Sequence, residues 1–343
     1  MIFLPMIAST LMGLHAPAPG LSQMPSHMVL AAPYTPFTAS GVLNASAANV
    51  EALAAQAAAF GVTTVWVPGS MGQFDAMSMS ERKALLEAWV PAAKKHNLYL
   101  IAHVGSGVLE EATELARHAV SLGAPAIASV PPYYEKTTNV AAIADFFAAI
   151  GAAAPQTPLF YYHIPSHTGA TIKVAELFAA AAKPANESTS SLLVPTLAGV
   201  KFVDSDFADW FDLVQNWNTT RALLFAPEPK LASFGLGLGR GTVLAEDFFA
   251  PTYLRMRLAH LRVDQTAAAS EQQFKLSAMA IISKYGGAAA ERALYRSFAL
   301  TTGFDFGPPR LPKLPFDSSK YSALVAELAN IGFWKQLTPP PVG

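Results

Sequence analysis

Lys201 stands inside LAGVKFVDSD, Leu197 to Asp206, at the end of a short apolar run that reads as a buried strand. A charged ammonium is costly in such a place unless it is partnered or neutral. An amine taken out of water gives up its proton more readily, and a free amine condenses with a ketone to form a Schiff base. The other reading is a lysine whose stem lies on apolar surface while its head reaches water. Residue type alone does not separate the two.

The rest of the composition narrows the chemistry. The chain has no cysteine, which excludes disulfides, thiol nucleophiles and thiolate metal sites. Its eight histidines are scattered along the chain, and no metal is expected. Net charge is −1 and no basic run is present, which argues against nucleic acid and for a small-molecule ligand. With 343 residues, 52% hydrophobic and 14% charged, the chain can form one large domain with a sizeable core.

The elements that must position Lys201 alternate from Met28 onward. MVLAAPY reads as a strand, followed by turn residues Thr35-Pro36 and Ser40-Gly41 and an alanine-rich helix, roughly Ala47 to Phe60. TTVWVP (63–68) is strand two and GSMGQ its loop, after which Ser80 is expected to cap ERKALLEAWVPAAKK, with Lys83 where a capping box prefers an acid. LYLIAHV, PAIASV, PLFYYHI, LAGVKF and RALLFA continue as strands three to seven, with helices at LEEATELARHAVSLG, about Val140 to Ala153, Val174 to Ala182 and DFADWFDLVQNW. KPANESTSSLLVP reads as a polar surface insertion. KLASFGLGLGRGTVLA should hold a short helix and strand eight, since its glycine spacing matches no phosphate-binding fingerprint. Helices at Phe248 to His260, Glu271 to Lys284, Ala288 to Ala299 and Ser318 to Ile331 follow, with a proline-rich crossing, GPPRLPKLP.

Eight strand-then-helix units predict a (β/α)8 TIM barrel with additional C-terminal helices. The expected division is a leader over 1–27, disordered or cleaved, a barrel over 28–262 and a helical extension over 263–343 packed on the barrel. The leader is apolar and then rich in Pro, Ala and Ser, but it lacks the basic start of a signal peptide and is too interrupted to span a bilayer. A cytoplasmic protein without membrane association is expected, with secretion or an organelle as the alternative if the leader is a targeting segment.

Chemistry in such barrels sits at the carboxyl ends of the strands. Ser70 in GSMGQ, Tyr162 in YYHIPSHTG and Lys201 in GVKF end strands two, five and six. With MSMSERKAL, IAHVG and GPPRLP, these motifs resemble the N-acetylneuraminate lyase and dihydrodipicolinate synthase family of Schiff-base aldolases, and most of all its animal-type lyases, from Met28 to about Pro315.

The resemblance implies that Lys201 attacks the ketone of a 2-keto acid and that Tyr162 shuttles the proton. It also implies that no cofactor is needed beyond the lysine Schiff base, and that the chain forms a homotetramer. The family's carboxylate loop, G-[ST]-T-G-E, reads Gly69-Ser70-Met71-Gly72-Gln73 here, keeping one hydroxyl and its backbone N–H groups. The sugar-gripping positions depart further. Val203 replaces the usual Thr or Ser after the lysine, Glu228-Pro229 replaces an Asp-Glu pair, and Leu244-Ala245-Glu246 falls near a Gly-Ser-Thr. Asp204 and Asp206 are either hydroxyl ligands or helix caps. PPYYEK resembles the synthase motif whose second tyrosine, here Tyr134, reaches a neighbouring subunit's site, and His167 takes the place of a synthase arginine that binds a carboxylate. The function expected is cleavage of a 2-keto sugar acid, as in N-acetylneuraminate lyase, to pyruvate and an aldehyde. The alternatives are the same imine chemistry on another 2-keto acid, or a silent keto-acid-binding barrel.

Overall fold

Eight short strands, β1 (Met28–Ala31), β2 (Thr64–Val67), β3 (Tyr99–His103), β4 (Ala126–Ser129), β5 (Leu159–His163), β6 (Leu197–Phe202), β7 (Ala222–Phe225) and β8 (Gly241–Leu244), each pair in parallel with the next. β8 returns to β1 through Met28↔Gly241 to Ala31↔Leu244, closing the barrel. The computed structural model describes residues 16–185, 191–226, 238–301 and 306–340.

The strands are almost continuously apolar because both faces are covered. Inward side chains, among them Leu30, Trp66, Ile101, Phe160 and Leu224, fill the barrel, while outward ones such as Val65, Leu100 and Phe202 pack beneath the helices. Gly199 in β6 is required by close approach, since a Cβ there would lie 2.2 Å from the carbonyl oxygen of Ala222.

The helical layer consists of α1 (Ala47–Ala59), α2 (Met79–Lys95), α3 (Leu109–Ser121), α4 (Val140–Ala153), α5 (Val174–Ala181) and α6 (Phe207–Trp217), with a single helical turn at Pro165–Thr168. The C-terminal helices are α7 (Ala250–Leu261), α8 (Gln265–Lys284), α9 (Ala288–Leu294) and α10 (Tyr321–Asn330). The ends of α9 and the start of α10 are short 3-10 turns, Tyr295–Ser297 and Ser318–Lys320.

Two local expectations are corrected. Ser78, not Ser80, caps α2, and it forms a complete capping box with Glu81, because Glu81 lies three residues after Ser78. α8 begins at Gln265 rather than Glu271, capped by Asp264, because alanine carries the helix through a first turn that has no apolar periodicity.

Residues 16–27, the last part of the expected leader, pack against the barrel. Ala18, Leu21 and Met24 are buried in the same cluster as the barrel interior. Arg240, directly before β8, donates to the carbonyls of Leu21, Met24 and Pro25, and Arg221, directly before β7, donates to that of Ala16. The segment thus closes the amino end of the barrel, opposite the strand ends where chemistry is expected. Residues 1–15, like the short helix expected just before strand eight, lie outside the described residues, as does the middle of the polar insertion.

Candidate active site

The backbone ladder sets the first contact. Lys201 on β6 is in register with Tyr162 on β5 and Leu224 on β7, so lysine and tyrosine enter the carboxyl end of the barrel side by side. Both are only 3% exposed. The ammonium Nζ lies 4.2 Å from the centre of the Tyr162 ring and 4.9 Å from that of Trp66. Among the described residues no carboxylate pairs with Lys201. The two aromatic faces are its neighbours, a setting that tolerates the cation and leaves the neutral amine accessible to a reactant.

Tyr162 carries the contact onward. Its hydroxyl is 3.3 Å from Ser70 Oγ, so β5 is joined to the loop after β2. In that loop the backbone N–H groups of Ser70, Met71 and Gly72 donate to nothing among the described residues, leaving them open to an anion. A side chain at Gly72 would be tightly packed, because a Cβ would lie 3.0 Å from Thr35 Oγ1 and 3.2 Å from the carbonyl of Pro33. Gln73 adopts a left-handed conformation (φ 54°) and turns away from the site. Its side-chain amide donates to the carbonyl of Arg310 at 2.9 Å and accepts from the Arg310 N–H at 3.1 Å. A glutamate there could not make the first of these bonds, so the lost charge has a structural counterpart.

Arg310 belongs to the proline-rich crossing, which lies as a strap over the mouth of the barrel. Its guanidinium donates to Glu81 and to the carbonyls of Ala76 and Gly41. The Arg310 bond holds the Glu81 carboxyl down at about 2. A little further along, Lys313 Nζ donates to the carbonyl of Ser70 at 3.1 Å.

His103 is the residue that sequence reasoning missed. It ends β3, points inward and is 3% exposed. Its ring packs edge-on to Tyr162 and Phe74 and alongside Trp66. Neither ring nitrogen has a hydrogen-bond partner among the described residues. Burial, with Arg82 and Lys201 nearby, holds the imidazole well below its ordinary range, so His103 is neutral. The signal was present in IAHVG: alternation from Tyr99 and Ile101 puts position 103 inside the barrel at a strand end.

Other expected site residues are placed as follows. Val203, at the carboxyl end of β6, packs against the interior and donates its N–H to the carbonyl of His163. His167 is exposed on the turn Pro165–Thr168, its ring nitrogen 3.1 Å from Ser166 Oγ, and it does not join Lys201 and Tyr162. Tyr134 is 89% exposed and stands apart from them. Glu228 lies outside the described residues. Asp206 is a cap, accepting from the N–H of Asp209 at the start of α6, whereas Asp204 faces His163 Nε2 at 3.4 Å. Glu246, two residues after β8, is buried beside Asp247, whose carboxyl accepts from Tyr295 at 2.6 Å and is pushed up to about 6 by burial.

No group of three or more acidic or histidine side chains among the described residues could hold a metal ion. The arrangement offers instead a buried amine, a phenol beside it and an anion-binding loop bonded to that phenol. These suit condensation of an amine with a ketone that carries a carboxylate, followed by proton transfer.

Comparison with known proteins agrees with this chemistry. The chain matches the Dihydrodipicolinate synthetase family over residues 25–331. It is 33% identical to N-acetylneuraminate lyase of Rattus norvegicus over 311 residues, 89% of this chain and 92% of that protein. The mouse (Mus musculus) N-acetylneuraminate lyase is 31% identical over 310 residues, again 89% and 92%. Among solved structures, the sialic acid aldolase of Aliivibrio salmonicida superposes with a TM-score of 0.81 at 25% identity, covering 90% of this chain and 98% of its own. N-acetylneuraminate lyase of Proteus mirabilis gives 0.80 at 26% identity, covering 90% and 99%.

Proposed function

The chain belongs to the dihydrodipicolinate synthetase family and is a pyruvate-dependent class I aldolase, and from that premise we propose that Lys201 and Tyr162 catalyse cleavage of N-acetylneuraminate to pyruvate and N-acetylmannosamine. The observation that carries the reading is the buried Lys201 ammonium, without a carboxylate partner among the described residues, 4.2 Å from the Tyr162 ring, with the Tyr162 hydroxyl 3.3 Å from Ser70 Oγ.

In this reading the Lys201 amine, having released its proton, attacks the ketone carbon of the 2-keto acid; that proton returns to the departing oxygen, water leaves, and a protonated imine remains. The imine withdraws the electron pair of the bond between the third and fourth carbons as that bond breaks. Tyr162 removes the proton from the hydroxyl on the fourth carbon, which becomes the aldehyde, and the enamine left on Lys201 takes a proton at its terminal carbon. Water then hydrolyses the imine and pyruvate departs. The lysine is the electron sink, so no cofactor enters these steps. Ser70 and the N–H groups of Ser70, Met71 and Gly72 hold the substrate carboxylate, and Ser70 orients the phenol. Val203, Glu228 and His167 are assigned to the substrate's polyol end, and Tyr134 to a neighbouring subunit of a homotetramer, for which its exposure is the support.

The test is pyruvate release from N-acetylneuraminate, compared with a Lys201→Ala control. A rate no better than the control would reject the proposed substrate. A second reading, the same chemistry on a different 2-keto sugar acid, is favoured by Val203, an apolar side chain where a polyol needs a partner. A panel of 2-keto sugar acids separates the two.

A further inference from the structure

The loop that would receive the substrate carboxylate has only neutral donors of its own, yet the strap delivers a cation to it. Lys313 is carried on the crossing between α9 and α10, and its ammonium donates to the carbonyl of Ser70 at 3.1 Å. Ser70 is the residue whose hydroxyl meets Tyr162. Among the described residues Lys313 has no carboxylate partner within ion-pair distance, and an ammonium has three N–H donors, so two remain unused. Its neighbour Arg310 differs, since its charge is matched by Glu81.

The other charges facing Lys313 are Asp75, Glu291 and Arg292. Glu291 is engaged by the Tyr34 hydroxyl at 2.5 Å, and Arg292 donates to the carbonyls of Phe306 and Gly307. Asp75, exposed on the 3-10 turn that follows the loop, is the acid that opposes Lys313 most directly.

We propose that Lys313 is a substrate-recruiting residue: from the C-terminal strap it places over the Ser70 loop a positive charge that no described carboxylate meets at ion-pair distance, and this charge attracts the carboxylate of a 2-keto acid. The inference rests on the aldolase reading and adds a determinant that lies outside the barrel. It gives the strap a binding role besides its structural one, and it offsets the hydroxyl that the loop lacks at Met71. Lys313 acts through the field at the loop and not on the reacting bonds, so its effect belongs to capture and not to turnover.

The experiment uses the full-length chain and pyruvate itself. Borohydride trapping on Lys201 is measured against pyruvate concentration, giving a half-saturation and a limiting rate. The variants are Lys313→Met, Lys313→Arg, Asp75→Asn and, as a control lysine at the opposite end of the barrel, Lys94→Met.

Lys313→Met is expected to raise half-saturation about three- to tenfold at low salt with the limiting rate unchanged, and Lys313→Arg to keep the wild-type value. Asp75→Asn should lower half-saturation. The difference between wild type and Lys313→Met should shrink between about 0.01 M and about 1 M salt, as the screening length falls from about 30 to about 3 Å.

A packing role alone would not give opposite effects for Lys313→Met and Asp75→Asn, nor a salt dependence. The inference is overturned if Lys313→Met leaves half-saturation unchanged, shifts it equally at all salt concentrations, or shifts it no more than Lys94→Met does. Absence of any adduct in the wild type would instead reject the aldolase reading on which it rests.

Discussion

At the scale of residues, the site divides its labour between a covalent partner and a proton carrier, and the two should separate on mutation. Tyr162→Phe keeps the ring beside the Lys201 ammonium but removes the hydroxyl that meets Ser70. Cleavage should fall about 10²- to 10⁴-fold while pyruvate still condenses with Lys201, as read by turnover beside borohydride trapping. Equal loss of both would show that the tyrosine acts on the lysine and not on the substrate proton.

Asp247 supplies a second residue-level prediction, this one for stability. Its folded-state value is raised from 3.8 to about 6, so the folded protein holds a proton there that the unfolded chain has released. Stability from this group is therefore highest below pH 4 and falls as pH rises from about 4 to about 6, by on the order of 2–3 kcal/mol. Asp247→Asn removes that penalty while still accepting from Tyr295, so its melting temperature should gain on the wild type between pH 4 and pH 7. A gain independent of pH would contradict the assignment.

At the scale of elements, the strap and the loop after β2 behave as one unit. Gln73→Leu deletes both bonds to the Arg310 backbone, and Arg310→Ala deletes the Glu81 pair together with two bonds to carbonyls. Gln73→Leu should cost about 1–3 kcal/mol of stability and weaken pyruvate binding, because the N–H groups of residues 70–72 lose the frame that holds them. Denaturation midpoints and trapping half-saturation check both halves; lost stability with binding intact would uncouple strap from site.

The same elements show what the sequence could and could not reveal. Lys201 and Tyr162 were legible because strand ends in a parallel barrel converge, and a lysine in an apolar run demands an explanation. His103 was not, because a single histidine in an apolar strand is ordinarily read as core. Gln73 read as a damaged ligand because its partner, Arg310, is a distant stretch of chain that no local pattern connects to it. The cap of α2 was misplaced because two serines stand two residues apart and only one is three before Glu81. The polyol side of the site was only half legible: Val203 could be located, whereas Glu228 lies outside the described residues.

At the scale of the whole molecule, the barrel is closed at one end by residues 16–27 and strapped at the other by the crossing after α9. The first should matter for folding and the second for binding. Arg240→Ala removes the donors to Leu21, Met24 and Pro25, leaving their carbonyls to find water beneath the barrel. It should lower the melting temperature while pyruvate half-saturation stays at the wild-type value, because the site lies at the other end of the strands. No described helix is long and apolar enough to cross a membrane.

The central claim is that Lys201 is the nucleophile of an aldolase, and it has a direct measurement. The protein is incubated with pyruvate and borohydride, digested, and its peptides weighed. The account predicts one reduced pyruvate adduct, on the peptide containing Lys201, absent from Lys201→Ala. An unmodified Lys201 peptide, or an adduct that persists in Lys201→Ala, would contradict it.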